Sequence, residues 1–192
     1  MTQFKCMLRD GRALSGRMYG AEAGFPIIFF HGNLNSSAFA PAWAATNEKT
    51  VAAGARVIAV DRPGYGGSSF LAGRSYASWP ADVRELADEM KLERFAVLGY
   101  SSGGPNAMAC AADACGGFPR PQQLPPSRLA ACGLISPDGP YGVMGNAKLV
   151  EKMFGSVSPT LSALESRAHT TADTLRASYE RMGKADRRVR EL

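Results

Sequence analysis

The segment FAVLGYSSGGPNAM, residues 95–108, passes from a strand-like run directly into a helix-like run. Residues 95–98 are apolar and favour a buried parallel strand, whereas residues 106–114 are rich in alanine and other good helix formers. The turn between the two runs has the pattern G-x-S-x-G, filled by Gly99, Ser101 and Gly103. The segment therefore predicts a strand, a sharp turn and a helix.

The two glycines of this pattern have a steric cause. A strand that runs straight into a helix forces the central residue to a positive φ, so the residues two before and two after it must lack bulk. Such a turn raises the Ser101 hydroxyl above the sheet edge, where the backbone amide of Ser102 can donate to a developing oxyanion. Ser101 is the candidate nucleophile, and the alternative is a Gly/Ser loop without chemistry.

Length and composition limit the class of protein. The chain has 192 residues and 45% hydrophobic content, which suits one globular domain with a core. Its net charge of +5 is spread along the chain rather than gathered in a basic stripe, so we expect no nucleic-acid binding. We expect reduced thiols at all four cysteines: Cys6, Cys110, Cys115 and Cys132.

The N-terminal residues lack the apolar region of a signal peptide, and no stretch approaches the ~18 apolar residues of a membrane span. We therefore expect a soluble, cytoplasmic protein without membrane contact.

Apolar runs and turn residues predict further strands around this segment. Residues 4–8 and 13–19 flank Asp10-Gly11, a tight-turn signal, and so predict a β-hairpin. Continuous apolar runs predict buried strands over residues 25–30, 56–60 and 129–135.

Helices are expected between these strands. One is predicted over residues 38–54, and another begins after Ser78, which can cap it, with Pro80 in its first turn. Because strands and helices alternate over residues 26–138, we expect a mostly parallel sheet.

The Gly/Pro-rich residues 115–127 predict a surface insertion. Beyond residue 140 the chain becomes polar and helical in character. We therefore expect a core over residues 1–140 and a helical cap over residues 141–192, where the chain ends before further strands.

Three motifs at strand ends resemble those of the α/β-hydrolase superfamily, in particular its small serine-nucleophile members. They are His31-Gly32 after the third strand, DRPGYGGS at residues 61–68 after the fourth, and GYSSGG at residues 99–104 after the fifth. The resemblance covers about residues 10–140. It implies an α/β fold with a mostly parallel sheet flanked by helices and a partial cap. It also implies hydrolysis of an ester, amide or similar acyl substrate through Ser101, without a metal or organic cofactor.

The same resemblance assigns roles to the neighbouring loops. The backbone amides of Ser102 and Asn33 would form the oxyanion hole, and His31 and Gly32 would shape the loop that carries Asn33. Asp61 would anchor its own loop by capping nearby amides, with a catalytic role as the minor alternative. Gly99 and Gly103 would permit the turn.

The acid and base of a catalytic triad are harder to place. A serine needs a histidine to remove its proton and a carboxylate to orient that histidine. Asp138 follows the sixth strand and is the candidate acid, although Ser-Pro-Asp-Gly-Pro also suits a plain turn. His169 is the only histidine downstream of Ser101 and is the candidate base, although its surroundings also suit an exposed helix in the cap.

Three explanations remain open for the lack of a clearly placed triad histidine. The chain is a fragment of an active hydrolase, or an inactive hydrolase-fold protein that binds a ligand or another protein, or an enzyme in which His169 folds back over Ser101. Missing strands would leave a sheet edge uncovered, so we also expect an oligomer or poor solubility.

Overall fold

The computed structural model describes the backbone of residues 2–39, 44–118 and 121–137 and, except at residues 44–47, their side chains. In chain order the elements are β1 (Thr2–Met7), β2 (Ala13–Gly20), β3 (Phe25–Phe30), α1 (Ala44–Ala52), β4 (Ala55–Val60), α2 (Trp79–Glu89), β5 (Phe95–Tyr100), a 3-10 turn (Ser101–Gly103), α3 (Gly104–Ala114) and β6 (Leu129–Ile135).

The strands form one sheet in the order β1-β2-β4-β3-β5-β6. β1 and β2 pair antiparallel, as do β2 and β4, whereas β4, β3, β5 and β6 run parallel. Since the chain steps from β3 to β4 in one direction and from β4 to β5 and β6 in the other, right-handed crossovers place α1 on one face and α2 and α3 on the opposite face. The predicted α/β fold with an antiparallel opening is confirmed.

The core lies mainly between the sheet and the two helices α2 and α3, which cover one of its faces. In α2, Val83, Leu86 and Ala87 are fully buried at the predicted helical spacing, and Met90 packs against the same cluster. The cluster comprises Cys6, Leu8, Leu14, Ile28, Phe30, Ile58, Val60, Trp79, Val83, Leu86, Ala87, Leu92, Phe95, Val97, Ala107, Cys110, Ala114 and Leu124.

The predicted hairpin is confirmed, with Asp10-Gly11 in its turn. The Leu8 N–H donates to the Arg12 carbonyl at 2.7 Å, and Gly11, at a φ of +83°, donates its N–H to the Leu8 carbonyl at 3.0 Å. The loop also contacts α2: both terminal nitrogens of Arg12 donate to the Asp82 carboxylate, at 2.8 and 2.7 Å.

The bounds of α1 and the capping of α2 differ from the prediction. α1 ends at Ala52, and residues 37–39 form a single 3-10 turn instead of helix. Ser78 stands at the first position before α2, but its hydroxyl makes no capping bond and donates to the Ser75 carbonyl at 2.8 Å. The hydroxyl that was predicted to cap the helix therefore bonds to the preceding turn at Ser75 instead.

The last described strand is less buried than its apolar sequence suggests. Leu134 and Ile135 of β6 are 42% and 39% exposed, so the prediction of a buried strand here is wrong. Within the described part of the chain, β6 pairs only with β5 and lies at the edge of the sheet. The Gly/Pro-rich segment before it is a loop, but Leu124 anchors it: the side chain is buried, and its N–H donates to Asp113 at 2.8 Å.

Asp138 and His169 lie outside the described residues, as does the proposed cap over residues 141–192. Their predicted roles stay predictions.

Candidate active site

The register of the sheet brings three loops together. Phe30, the last residue of β3, is aligned with Val60 of β4 on one side and with Gly99 of β5 on the other. These strands are parallel, so the residues that follow them emerge at one edge of the sheet, where ligands of such folds bind. His31, Asp61 and Ser101 begin the three loops.

Ser101 occupies a strained backbone conformation at the start of the turn into α3. Its φ is 51°, in the left-handed region that costs a residue with a Cβ about 1–2 kcal/mol. The predicted positive φ is confirmed. Such strain persists only where the surrounding structure enforces it, and it is concentrated at functional sites.

The flanking glycines leave the space that this turn needs. A Cβ on Gly99 would lie 2.7 Å from the carbonyl carbon of Gly103, and a Cβ on Gly103 would lie 2.7 Å from the carbonyl carbon of Phe30. Both approaches are closer than real Cβ contacts allow. The turn therefore requires glycine at both positions because of backbone contact with β3 and with the turn itself.

The loop after β3 lies directly against the nucleophile candidate. A Cβ added to Gly32 would stand 3.2 Å from the Ser101 Cβ and 3.4 Å from the Tyr100 ring. The absence of a side chain lets the peptide that joins Gly32 to Asn33 approach Ser101. The N–H of this peptide belongs to Asn33, one of the two amides that the sequence proposes as oxyanion donors.

His31 is buried within this loop, and both of its ring nitrogens are engaged. Nδ1 lies 2.7 Å from the Gly32 carbonyl, and Nε2 lies 3.2 Å from the backbone nitrogen of Arg62. Since an amide N–H can only donate, the network assigns the proton of the neutral ring to Nδ1. Burial, together with the charge of Arg62, lowers the pKa of His31 to about 4. His31 is thus a neutral structural group with no nitrogen left to accept the Ser101 proton.

Asp61 holds the site loops to β2. Its Oδ1 accepts the Ser37 N–H at 2.6 Å, and its Oδ2 accepts the Ser15 hydroxyl at 2.6 Å and, more weakly, the Gly67 N–H at 3.4 Å. Gly66 approaches the same carboxylate so closely that a Cβ there would collide with it. The carboxylate joins the loops that follow β3 and β4.

Arg62 is the principal residue that the sequence reasoning did not single out. Its side chain is 2% exposed and extends beneath the site loops. The guanidinium donates to the Gly32 carbonyl at 3.1 Å, to the Ser102 hydroxyl at 3.2 Å and to the Ser102 carbonyl at 3.3 Å. The only signal in the sequence was its position in the D-R-P-G-Y-G loop, where an arginine reads as an ordinary exposed charge.

Tyr65 completes the packing around Arg62. The guanidinium lies 4.9 Å from the centre of the Tyr65 ring, and the His31 ring meets the same ring edge-on at 4.9 Å. A guanidinium over an aromatic face is a favourable contact when it is desolvated. The half-buried Tyr65 ring thus packs against the buried Arg62 and His31 side chains as one layer.

A shallow groove runs beside this layer and borders Asn33. Its walls come from the loop after β3 and the loop after β4, and Phe39 of the first loop stacks on Tyr100 at 5.5 Å. The groove is lined by Leu34, Asn35, Ser36, Ala38, Phe39, Gly64, Tyr65 and Gly66. A second depression, around Lys91 and Arg128, lies at the amino ends of β5 and β6 and is remote from Ser101.

The end of β6 borders the nucleophile on its other side. Ile135 is aligned with Tyr100, so Ser136 emerges next to Ser101 and, like it, has a positive φ, of 43°. Pro137 packs against Gly104, the first residue of α3, with its Cα 3.0 Å from the position of a Gly104 Cβ. Asp138 follows Pro137 in the chain but lies outside the described residues.

No group of three or more His, Cys, Asp or Glu side chains in the described part of the chain is arranged to hold a metal ion. Among the same described residues, no helix has the length and hydropathy to span a membrane.

Residues 26–168 match the family model for the alpha/beta hydrolase fold, which is more than half of the chain. The protein belongs to this family. The match confirms the resemblance drawn from the three strand-end motifs.

Solved members of the α/β-hydrolase fold and a curated relative resemble the chain over part of their length. A hydrolase from Pseudomonas aeruginosa is 22% identical with a TM-score of 0.58, and the match covers 92% of this chain and 65% of that one. The epoxide hydrolase CorEH is 26% identical with a TM-score of 0.50, covering 58% of this chain and 38% of that one. A serine hydrolase-like protein from Danio rerio is 32% identical over 95 residues, which is 47% of this chain and 28% of that protein.

The chain thus spans less than a third of the curated relative and between about a third and two thirds of these solved structures. The comparisons show the fold and the family.

Proposed function

We propose that this protein is a serine hydrolase in which Ser101 attacks the carbonyl carbon of an ester, amide or similar acyl substrate. The observation that carries the proposal is the strained turn at Ser101, whose φ of 51° is enforced by glycine contacts on both sides. A plain Gly/Ser loop would relax to an unstrained conformation, since nothing would offset the cost. Similarity to proteins named as hydrolases supports the same function.

The site has the donors that acyl transfer requires. As the Ser101 oxygen bonds to the substrate carbon, the carbonyl oxygen becomes negatively charged and needs prepositioned N–H donors. The Ser102 amide lies at the start of the helical segment, whose N-terminal end favours negative charge. The Asn33 amide belongs to the peptide that Gly32 allows to approach Ser101.

The reaction would proceed in two halves. The Ser101 proton passes to a base, the new C–O bond forms, and the leaving alcohol or amine departs with a proton to give an acyl-enzyme. Water then attacks the acyl carbon, and the Ser101 oxygen leaves and regains its proton. No cofactor enters this scheme.

The proposed reaction also needs a base. The sequence has two histidines, and both nitrogens of His31 are engaged in hydrogen bonds. His169 is the remaining candidate, with Asp138 as the acid that would orient it.

Reaction of the purified chain with a fluorophosphonate tests the proposal directly, because stable phosphonylation requires an activated serine. We expect an adduct on the peptide that contains Ser101, found by mass spectrometry, and none in Ser101→Ala. Ser136→Ala is the matched control, since Ser136 is a second serine with positive φ at the same sheet edge. That variant should label like the parent protein.

The variant His169→Ala separates the remaining interpretations. Loss of labelling in this variant identifies His169 as the base, whereas unchanged labelling requires another base. A folded parent protein that does not label at all contradicts the proposal.

If the folded parent protein does not label, a second candidate function applies: binding of a ligand or protein without catalysis. It is favoured by the engaged state of His31, which leaves no imidazole in the described part of the chain to act as a base. A serine without a base can line a binding pocket but should not acylate at a useful rate.

A further inference from the structure

We infer that Arg62 is the positioning residue of the oxyanion hole: its buried guanidinium fixes both peptide segments whose amides would face the developing negative charge. This inference rests on the proposed function. Arg62 belongs to the D-R-P-G-Y-G loop at the site. Its side chain takes no part in the bonds that form and break at Ser101.

The guanidinium fixes the peptide that joins Gly32 to Asn33 through its carbonyl. In a trans peptide the C=O and the N–H point in opposite directions, so a donor that fixes the carbonyl also sets the direction of the N–H. The Gly32 carbonyl accepts two such donors, Nδ1 of His31 at 2.7 Å and the Arg62 guanidinium at 3.1 Å. The Arg62 guanidinium also lies 3.4 Å from the side-chain oxygen of Asn33.

The other peptide segment lies in the turn after β5. The same guanidinium donates to the Ser102 hydroxyl at 3.2 Å and to the Ser102 carbonyl at 3.3 Å, and that carbonyl also accepts the Asn106 side-chain amide at 3.0 Å. Ser102 is buried, so its orientation depends on these partners and not on solvent. One side chain therefore connects the two halves of the proposed oxyanion hole.

Arginine suits this position better than lysine. Its planar fork presents N–H donors on separate nitrogens in fixed directions, so Nη2 contacts the Gly32 carbonyl while Nη1 contacts the Ser102 carbonyl. The three donors of an ammonium share one nitrogen on a flexible stem, so lysine would not hold both carbonyls in the same fixed geometry. A positive charge beneath the two peptides also strengthens the field at the site, because the low local dielectric screens it weakly. Tyr65 keeps the guanidinium in place from the other side, 4.9 Å from its ring centre.

The test compares Arg62→Lys and Arg62→Met with the parent protein. Deleting one oxyanion donor typically lowers kcat by about 10² to 10³. Misalignment should cost part of this, so we expect fluorophosphonate labelling of Ser101 to slow by about 10-fold in Arg62→Lys and more in Arg62→Met. With p-nitrophenyl acetate, kcat should fall while KM stays within about twofold, because the donors act on the transition state.

Arg128→Met is the matched control. Arg128 also donates to a carboxylate and a carbonyl, of Asp88 at 2.5 Å and Leu92 at 2.7 Å, but it lies at the amino end of β6, away from Ser101. We expect this variant to lose stability without losing labelling rate. Labelling of both Arg62 variants at the parental rate would overturn the inference.

A second readout separates this inference from the proposed function. Hydrogen exchange of the Asn33 and Ser102 amides, followed by NMR, reports their fixation whether or not Ser101 reacts. If the parent protein does not label, the proposed function fails. The positioning role is then supported by exchange that is at least about tenfold faster in Arg62→Lys than in Arg128→Met, and overturned by equal exchange.

Should both Arg62 variants fail to fold, Ser102→Ala decides the matter. It removes the hydroxyl that Arg62 contacts and leaves the backbone amide in place. Faster exchange of the residue 102 amide supports the inference, and unchanged exchange contradicts it.

Discussion

Nε2 of His31 accepts the backbone N–H of Arg62 at 3.2 Å. The histidine ring therefore joins the start of the loop after β3 to the second residue of the loop after β4. This bond exists only while the ring is neutral, because a protonated imidazole has no acceptor. Burial and the neighbouring Arg62 charge lower the pKa of His31 to about 4, which keeps the ring neutral at physiological pH.

This pKa predicts a pH-dependent stability. The unfolded chain binds a proton at His31 below about pH 6.5, whereas the folded protein binds it only below about pH 4. The stabilisation is therefore complete above pH 6.5 and is lost as the pH falls to 4, by an amount on the order of 3 kcal/mol. Urea unfolding of the parent protein and of His31→Gln at pH 7 and pH 4.5 measures this loss, which should be much smaller in the variant. His169→Gln should retain the parental pH dependence, and an identical dependence in His31→Gln would refute the assignment.

The strain at Ser101 predicts an unusual order of stabilities. Ser101→Gly and Ser101→Ala both lack the hydroxyl, but only glycine adopts the φ of 51° without a steric cost. We expect the glycine variant to be more stable than the alanine variant by about 1 kcal/mol, and both to be inert to fluorophosphonate.

Lys91 is the matched position for this comparison, since it has a φ of 53° just after α2 and lies outside the site. Lys91→Gly should exceed Lys91→Ala in stability by a similar amount and leave labelling unchanged. Equal stability of Ser101→Gly and Ser101→Ala in chemical unfolding would show that the turn is not strained.

The close approach of Gly103 to β3 predicts a large steric penalty. The side chain of Gly103→Ala would place its Cβ 2.7 Å from the Phe30 carbonyl carbon, and the backbone of β3 cannot yield without disturbing the sheet. We expect a loss of about 3 kcal/mol or more, together with slower labelling of Ser101.

Gly73→Ala serves as the comparison because a Cβ there meets nothing within 4 Å, although its φ is +65°. That substitution should cost only the conformational penalty of about 1–2 kcal/mol. If Gly103→Ala were no more destabilising than Gly73→Ala in thermal unfolding, the packing explanation of the G-x-S-x-G pattern would be wrong.

Much of the fold could be predicted because its signals are local. Short apolar runs bounded by turn residues marked β3, β4, β5 and β6, and the apolar spacing in α2 identified the face that is buried. The positive φ at Ser101 followed from glycines on either side of it in a strand-to-helix passage. Each of these signals depends on neighbours in the chain, which is why the sequence reveals them.

Other features depend on contacts between distant segments. Ser78 was expected to cap α2, but its hydroxyl bonds Ser75 instead. β6 has the composition of a buried strand, yet its position at the end of the described sheet leaves Leu134 and Ile135 exposed. Burial reflects the neighbours of a strand, which its own composition does not specify.

Local patterns in the amino-acid sequence were enough to predict the order of strands and helices, the turn at Ser101 and the family to which the chain belongs. The packing of distant segments sets which groups meet at that turn. It buried Arg62, a residue type that is usually exposed, because the carbonyls of Gly32 and Ser102 converge on one point when β3, β4 and β5 align. A buried guanidinium is stable only where several acceptors surround it, and such a set exists only after the three loops have come together.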